Sequence, residues 1–189
     1  PDVDHPVDSV DSDFNSDLVK LDLVNTYALD PFTLSLGFET ENERGSSSYL
    51  STSSFGDYQD DFYGQENRTN AAFFQSDVEW LERMSTTAGV RVDDSQYLDP
   101  QVTWRFGQNI QVPESGSVIR ASVGTGFKVP SLFQRFSQYG SPDLRAEKSL
   151  GVDAGVEQTV IEDRLSVSTT YFWNKFNNLI TFDPTTFLY

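Results

Sequence analysis

The sequence predicts an all-β protein of about eight antiparallel strands, and three observations carry that prediction. Apolar and polar residues alternate with period two through most of the chain, as in strands with two unlike faces. Tight-turn signals such as Asp30-Pro31 punctuate the alternating runs. Aromatic residues make up 14% of the chain, yet its mean hydropathy is only −0.44. That aromatic content excludes disorder for most of the chain, and no run approaches the roughly 20 apolar residues of a membrane-spanning helix.

The elements follow in order. Residues 1–17, with Asp2, Asp4, Asp8, Asp11, Asp13 and Asp17, are compositionally distinct and are expected to form an acidic loop; strands and loops are expected over 18–183. The opening PDVDHPVDSVDSD has neither a basic start nor an apolar stretch, so it reads as the interior of a longer protein. Residues 18–29 set Val19, Leu21, Leu23, Tyr27 and Leu29 against Lys20, Asp22 and Thr26. Residues 32–39 set Phe32, Leu34, Leu36 and Phe38 against Thr33, Ser35, Gly37 and Glu39. Residues 40–70 are expected to be a long polar loop. Residues 71–80 and 84–93, joined by Leu81-Glu82-Arg83, alternate likewise, with Phe74, Val78, Trp80, Val90 and Val92 on one face. Strands are also expected over 101–107, 118–127, 149–158 and 164–174, with 128–148 a loop structured by Pro130 and Pro142.

Composition removes several functions. There are 13 Lys+Arg against 29 Asp+Glu, a net charge of −16, which excludes a nucleic-acid partner because phosphate binding needs clustered cations. The chain has no cysteine and a single histidine, His5, so thiolate chemistry, Cys zinc sites and a multi-His metal site are not expected. Asp77 and Glu79 share a face, but nothing supplies the apolar pocket that a catalytic carboxyl pair needs, so no enzyme is expected.

Alternation does not say which face is wet. A soluble sheet buries its apolar face, whereas an outer-membrane barrel turns that face to lipid and its polar face to a lumen. Strands of about ten residues suit a tilted membrane strand. The aromatics Tyr27, Phe32, Trp80, Trp104 and Phe106 are expected in a girdle near the short turns. Turns of alternating length suit short periplasmic and long extracellular connections. The readings that stand beside a membrane receptor are a passive porin-type barrel and a soluble β-sandwich that binds carbohydrate or Ca²⁺.

One stretch carries a resemblance. Residues 120–158 contain Gly124-Thr125-Gly126-Phe127-Lys128, then Pro130-Ser131-Leu132, Tyr139-Gly140, Pro142-Asp143-Leu144, Glu147-Lys148-Ser149 and Gly155-Val156-Glu157. Asn67-Arg68 through Gly89-Val90-Arg91 and Asp163-Arg164-Leu165 through Asp183-Pro184 look similar in order and spacing. Together they resemble the barrel of TonB-dependent outer-membrane receptors, closest to the cobalamin-receptor branch. The resemblance implies a transmembrane antiparallel β-barrel of about 22 strands, of which about eight stand here, closed by an N-terminal plug domain. It also implies a place in the lipid of a Gram-negative outer membrane, capture of cobalamin or a metal chelate such as a ferric siderophore, and energy supplied by an inner-membrane coupling protein. No segment of the chain resembles the plug, and the resemblance covers about a third of a whole receptor. Gly126, Phe127, Pro130, Ser131, Pro142, Leu144 and Glu147 are expected to shape the barrel wall and its loop.

Ligand contacts are expected from loop residues Tyr58, Phe62, Tyr63, Arg135 and Tyr139, because aromatics at a loop tip suit an apolar or planar ligand. Asp57, Asp60, Asp61 and Glu66 make the same region a candidate for loop Ca²⁺, without the ligand spacing of an EF-hand. No other cofactor is expected. On the polar faces, Lys20, Asp22, Glu39, Asp77, Glu79, Arg91, Asp93, Arg105, Arg120, Asp153 and Glu157 are expected to form one mixed-charge wall facing the plug.

Overall fold

In the computed structural model, residues 8–54, 56–80, 83–162 and 164–189 are described. His5 with the rest of residues 1–7, Leu81 and Glu82 of the expected turn, and Asp163 lie outside the described residues. The alternating segments pair with their sequence neighbours into one eight-stranded antiparallel meander, β1 to β8 in chain order. The strands are β1 (Ser9–Leu29), β2 (Phe32–Ser53), β3 (Gly56–Trp80), β4 (Met84–Ser95), β5 (Gln101–Val112), β6 (Ser117–Lys128), β7 (Glu147–Ile161) and β8 (Leu165–Asn177). One short helix, α1 (Leu132–Phe136), interrupts the β6–β7 connection.

The register keeps like with like. Leu23 pairs with Phe38, Phe38 with Ala72, Ala72 with Val92, and Val92 with Val102. Further round, Val123 pairs with Val152 and Val152 with Trp173. A one-residue slip would move any of these side chains to the polar face, so the apolar pattern fixes the register. Among the described residues no layer covers that face: Leu23 is 60% exposed and Val102 60%. Among the described residues, the buried hydrophobic ones are Phe62, Ala71, Val78, Leu132 and Ala146. A soluble sandwich would bury the apolar face as its core, and a patch of this extent in water would drive association. The face is therefore the lipid-facing one, and the soluble reading falls.

Two expectations on element boundaries are corrected. Residues 9–17, expected in the acidic loop, belong to β1. Residues 40–53 and 56–70, expected in a long loop, are paired strand in β2 and β3. The reason is common to both: these stretches stand beyond the lipid, carry polar residues on the outward as well as the inward face with scattered aromatics among them, and show no sustained period-two contrast although the backbone still pairs. The expected girdle is also only half formed. Tyr27, Phe32 and Trp80 sit at strand ends beside the short turns, but Trp104 and Phe106 fall in the half of β5 remote from its turn.

Candidate ligand vestibule and lumen wall

On the polar face the register gathers every charged residue expected there. Lys20 and Asp22 lie on β1, Glu39 on β2, Asp77 and Glu79 on β3, Arg91 and Asp93 on β4, Arg105 on β5, Arg120 on β6, and Asp153 and Glu157 on β7. Ion pairs then tie the strands together. Lys20 Nζ lies 3.0 Å from Glu39, and Arg91 reaches Glu39 at 2.8 Å and Asp93 at 2.7 Å. The Arg91–Glu39 bridge passes over β3, where Ala71 stands between Glu39 and Asp93 in the register. A small residue there leaves the guanidinium a path across the intervening strand, and Ala71 is 3% exposed beneath it. Farther round, Arg120 pairs with Glu157 at 2.7 Å and Ser122 donates to Asp153 at 2.7 Å. Exposed pairs of this kind contribute at most about 1 kcal/mol each; Asp93, 3% exposed, depends more on its partner.

The second feature lies at the end of the sheet away from the short turns. Between Gly45 and Ser47 of β2 the pairing jumps on β3 from Gln65 to Phe62. Gly64, with φ +60°, takes the left-handed conformation at this bulge, and its N–H donates to Ser46 Oγ at 3.0 Å. The extra residue reverses the face of everything beyond it. Phe62, Asp60 and Tyr58 point inward, and Tyr63, 65% exposed, points out.

Above these inward residues the β6–β7 connection folds down. Ser131 caps α1, accepting from the Gln134 N–H while the Gln134 side chain accepts from the Ser131 N–H. Leu132, 3% exposed, inserts over Gly45 and beside Phe62. Asp60 accepts the Gln138 N–H at 3.0 Å, joining β3 to the connection. A chain of rings runs through the junction. Tyr58 stacks on Tyr139 at 6.1 Å, Tyr139 meets Phe182 edge-on at 5.8 Å, and Phe182 meets Tyr189 at 5.5 Å. Tyr189 N–H donates to the Tyr139 carbonyl at 2.9 Å. The result is a cavity of about 620 Å³ bordered by Phe14, Tyr49, Tyr58, Phe133, Tyr139 and Asp60, a size that suits a small-molecule ligand.

Of the five expected contact residues, the structure brings Tyr58 and Tyr139 together at the cavity, buries Phe62 against Phe133 outside its lining, sends Tyr63 to the other face, and ties Arg135 down elsewhere. Tyr58, Phe62 and Tyr63 lie on strand β3 rather than on a loop. Arg135 is 6% exposed, donates to the carbonyls of Leu144 and Pro142, and stands 4.9 Å over the Tyr97 ring. Burial pushes its pKa down from the ordinary value. Burial also pushes the Tyr58 phenol up, with Tyr139 adding to the effect. Asp61, on the outward face, is held low by hydrogen bonds from Gln59 first, then Ser48 and the Tyr49 N–H. Among the described residues no three acidic or histidine side chains converge as a metal cluster.

The motif residues each have a structural place. Gly126 faces Ser149, whose Oγ would lie 2.9 Å from an added Cβ, and Phe127 pairs with Lys148. Pro130 is buried ahead of the α1 cap. Pro142 and Leu144 present the carbonyls that hold Arg135. Glu147 opens β7 and accepts the Ile180 N–H at 2.9 Å. Sequence reasoning missed Phe14, Tyr49, Asp60 as an inward anchor, Phe133, Phe182 and Tyr189; the aromatic density of the final FDPTTFLY was the available signal.

Comparison with known proteins agrees with this architecture. Residues 4–189 match the family described as TonB dependent receptor-like, beta-barrel. The vitamin B12 transporter BtuB of Vibrio vulnificus strain CMCP6 is 30% identical over 139 residues, covering 73% of this chain and 22% of the transporter. The vitamin B12 transporter BtuB of Vibrio cholerae O395 is 31% identical over 130 residues, covering 64% and 19%. The chain thus spans about a fifth of the length of these curated relatives. Among solved structures, the copper transporter OprC superposes with a TM-score of 0.70 at 14% identity, over 87% of this chain and 30% of its own. The ferric yersiniabactin uptake receptor FyuA of Yersinia pestis gives 0.66 at 14%, over 91% and 30%. At such identities these two show the fold alone. The family is one of receptors and transporters rather than enzymes. A lipid-facing apolar sheet, a charged lumen wall and a match along nearly the whole sequence lead to one conclusion: the chain belongs to the TonB-dependent receptor-like β-barrel family and forms part of a barrel wall in a Gram-negative outer membrane.

Proposed function

We propose that this wall serves a receptor for energy-coupled uptake of cobalamin or a ferric siderophore. The observation that carries the reading is the aromatic cavity of about 620 Å³ at the end of the sheet away from the short turns, directly above the charged lumen wall. The cavity captures ligand at the cell surface. The wall from Lys20 to Glu157 seats a plug domain of the complete receptor, and an inner-membrane coupling protein moves that plug. The vitamin B12 transporters among the relatives support the cobalamin arm.

The test is uptake by cells that express the complete receptor. Labelled cyanocobalamin and labelled ferric siderophores are supplied with and without a proton-gradient uncoupler. Accumulation of either class that collapses with the uncoupler supports the reading. Uncoupler-insensitive passage of both classes at equal rates would establish a passive porin-type barrel instead.

A further inference from the structure

We infer that the cavity selects by charge: it admits a neutral or cationic ligand bearing amide or hydroxyl groups, and rejects polyanionic chelates. This rests on the uptake reading above and narrows the ligand class of the same site.

The lining supplies the argument. Tyr49, Tyr58, Tyr139 and Phe133 line the space with aromatic surface, which suits planar apolar and cationic groups and offers an anion no positive partner. Ser12, Ser47 and Ser51 border the same space and supply hydroxyls that both donate and accept, as peripheral amides require. Asp13 and Asp60 are the charged residues on the border, and no Lys or Arg is among the lining residues described. Three cations of the neighbouring segments already have partners, and Arg145, exposed in the same connection, does not line the space. Arg135 is held by the carbonyls of Leu144 and Pro142. Lys128 stands 3.8 Å from Glu147, and Arg44 pairs with Glu66 at 3.2 Å. The surrounding field has the same sign, because the chain carries a net charge of −16 and Asp11, Asp57 and Asp61 stand near these strand ends. Such a field slows the approach of an anion and favours that of a cation.

The experiment uses the complete receptor in outer-membrane vesicles and three probes: neutral cyanocobalamin, a cationic ferric trishydroxamate and a trianionic ferric tris-catecholate. Wild type is expected to bind at least one of the first two about tenfold or more tighter than the tris-catecholate. Ser51→Lys and Ser47→Lys, each placing a cation in the cavity, are expected to shift that ratio about tenfold toward the trianion. Tight binding of the tris-catecholate by wild type overturns the inference; if the same probe is also taken up in an uncoupler-sensitive way, the uptake reading survives it. Discrimination by wild type that neither lysine variant changes overturns the assignment to this cavity. Failure of all three probes both to bind and to enter removes the uptake reading and this inference together.

Discussion

Leu132 is the residue on which the vestibule roof should turn. Its side chain is 3% exposed, lies over Gly45 and packs beside Phe62, which is itself 5% exposed. Leu132→Ala removes three carbons from this contact, about 2–3 kcal/mol at roughly 0.8 kcal/mol per methylene. The β-sheet does not depend on that contact, so the loss falls on local opening of α1. At about 1.4 kcal/mol per factor of ten, the open population rises roughly 30- to 150-fold. Hydrogen exchange in the complete receptor reads this directly. The Arg135 N–H, bonded to the Ser131 carbonyl, and the Ser137 N–H, bonded to Phe133, should exchange faster by that factor. Amides of β4 to β6 should not change. The neighbouring glycine offers an internal control. A Cβ at Gly45 would stand 2.8 Å from Leu132 Cδ1, the far end of a flexible side chain. Gly45→Ala should therefore disturb wild type slightly and partly refill the space in Leu132→Ala, giving a non-additive pair. Unchanged exchange at Arg135 and Ser137, or equal acceleration throughout the sheet, would refute the claim that Leu132 is a local anchor.

Three further outcomes are expected. Ala71→Leu should block the path of Arg91 across β3 to Glu39 and destabilise the wall by about 1–3 kcal/mol, seen as a lower denaturant midpoint of the lipid-reconstituted receptor and absent for Thr69→Ser on the same face. Gly140→Ala would put its Cβ 2.8 Å from backbone atoms of Gln134 and Arg135, so the vestibule connection should lose protease resistance while the barrel keeps its β-sheet circular dichroism. The pH dependence has two signs. Asp183 is held below its ordinary value of 3.8, chiefly by the Thr185 N–H at 2.8 Å; its contribution is present above that value and lost as pH falls through the lower folded pKa, which the Thr185 amide shift should report. Tyr58 is raised above 10.0 by burial, so its contribution is present below that value and lost as pH climbs through the higher folded pKa; phenolate absorbance missing in Tyr58→Phe should locate it.

The sequence made the lipid-spanning part of the fold legible because lipid enforces contrast. Leu23, Phe38, Ala72 and Val92 must face one way, and the residues between them face a wet lumen, so period two is written into the chain. Beyond the membrane that pressure ends. Ser47 and Ser48 have partners on both neighbouring strands, as Leu34 and Leu36 do, yet carry no alternation to reveal it. The site suffered from a related blindness. Tyr58, Phe62 and Tyr63 looked equivalent, and only the bulge at Gly64 separates the inward pair from the outward residue. Arg135 stood out in the sequence, but its engagement within the connection did not, because its partners are backbone carbonyls that no side-chain pattern announces.

The unequal strand lengths have a consequence at the scale of the cell surface. β1 to β3 run for 21, 22 and 25 residues, whereas β4 to β6 run for 12 each. At about 3.3 Å per residue and a tilt near 45°, the tip of β2–β3 stands roughly 20–30 Å above the neighbouring rim. The profile is that of a parapet with one low side. An antibody or a phage tail is too large to enter the cavity and meets the parapet first, on the outward surface that carries Asp57, Gln59, Asp61 and Tyr63. Under the uptake reading proposed above, a small solute enters over the low side, so epitope and port of entry fall on different parts of the same wall, and changes to the outward surface of the parapet alter what recognises the cell without altering what the cell takes in.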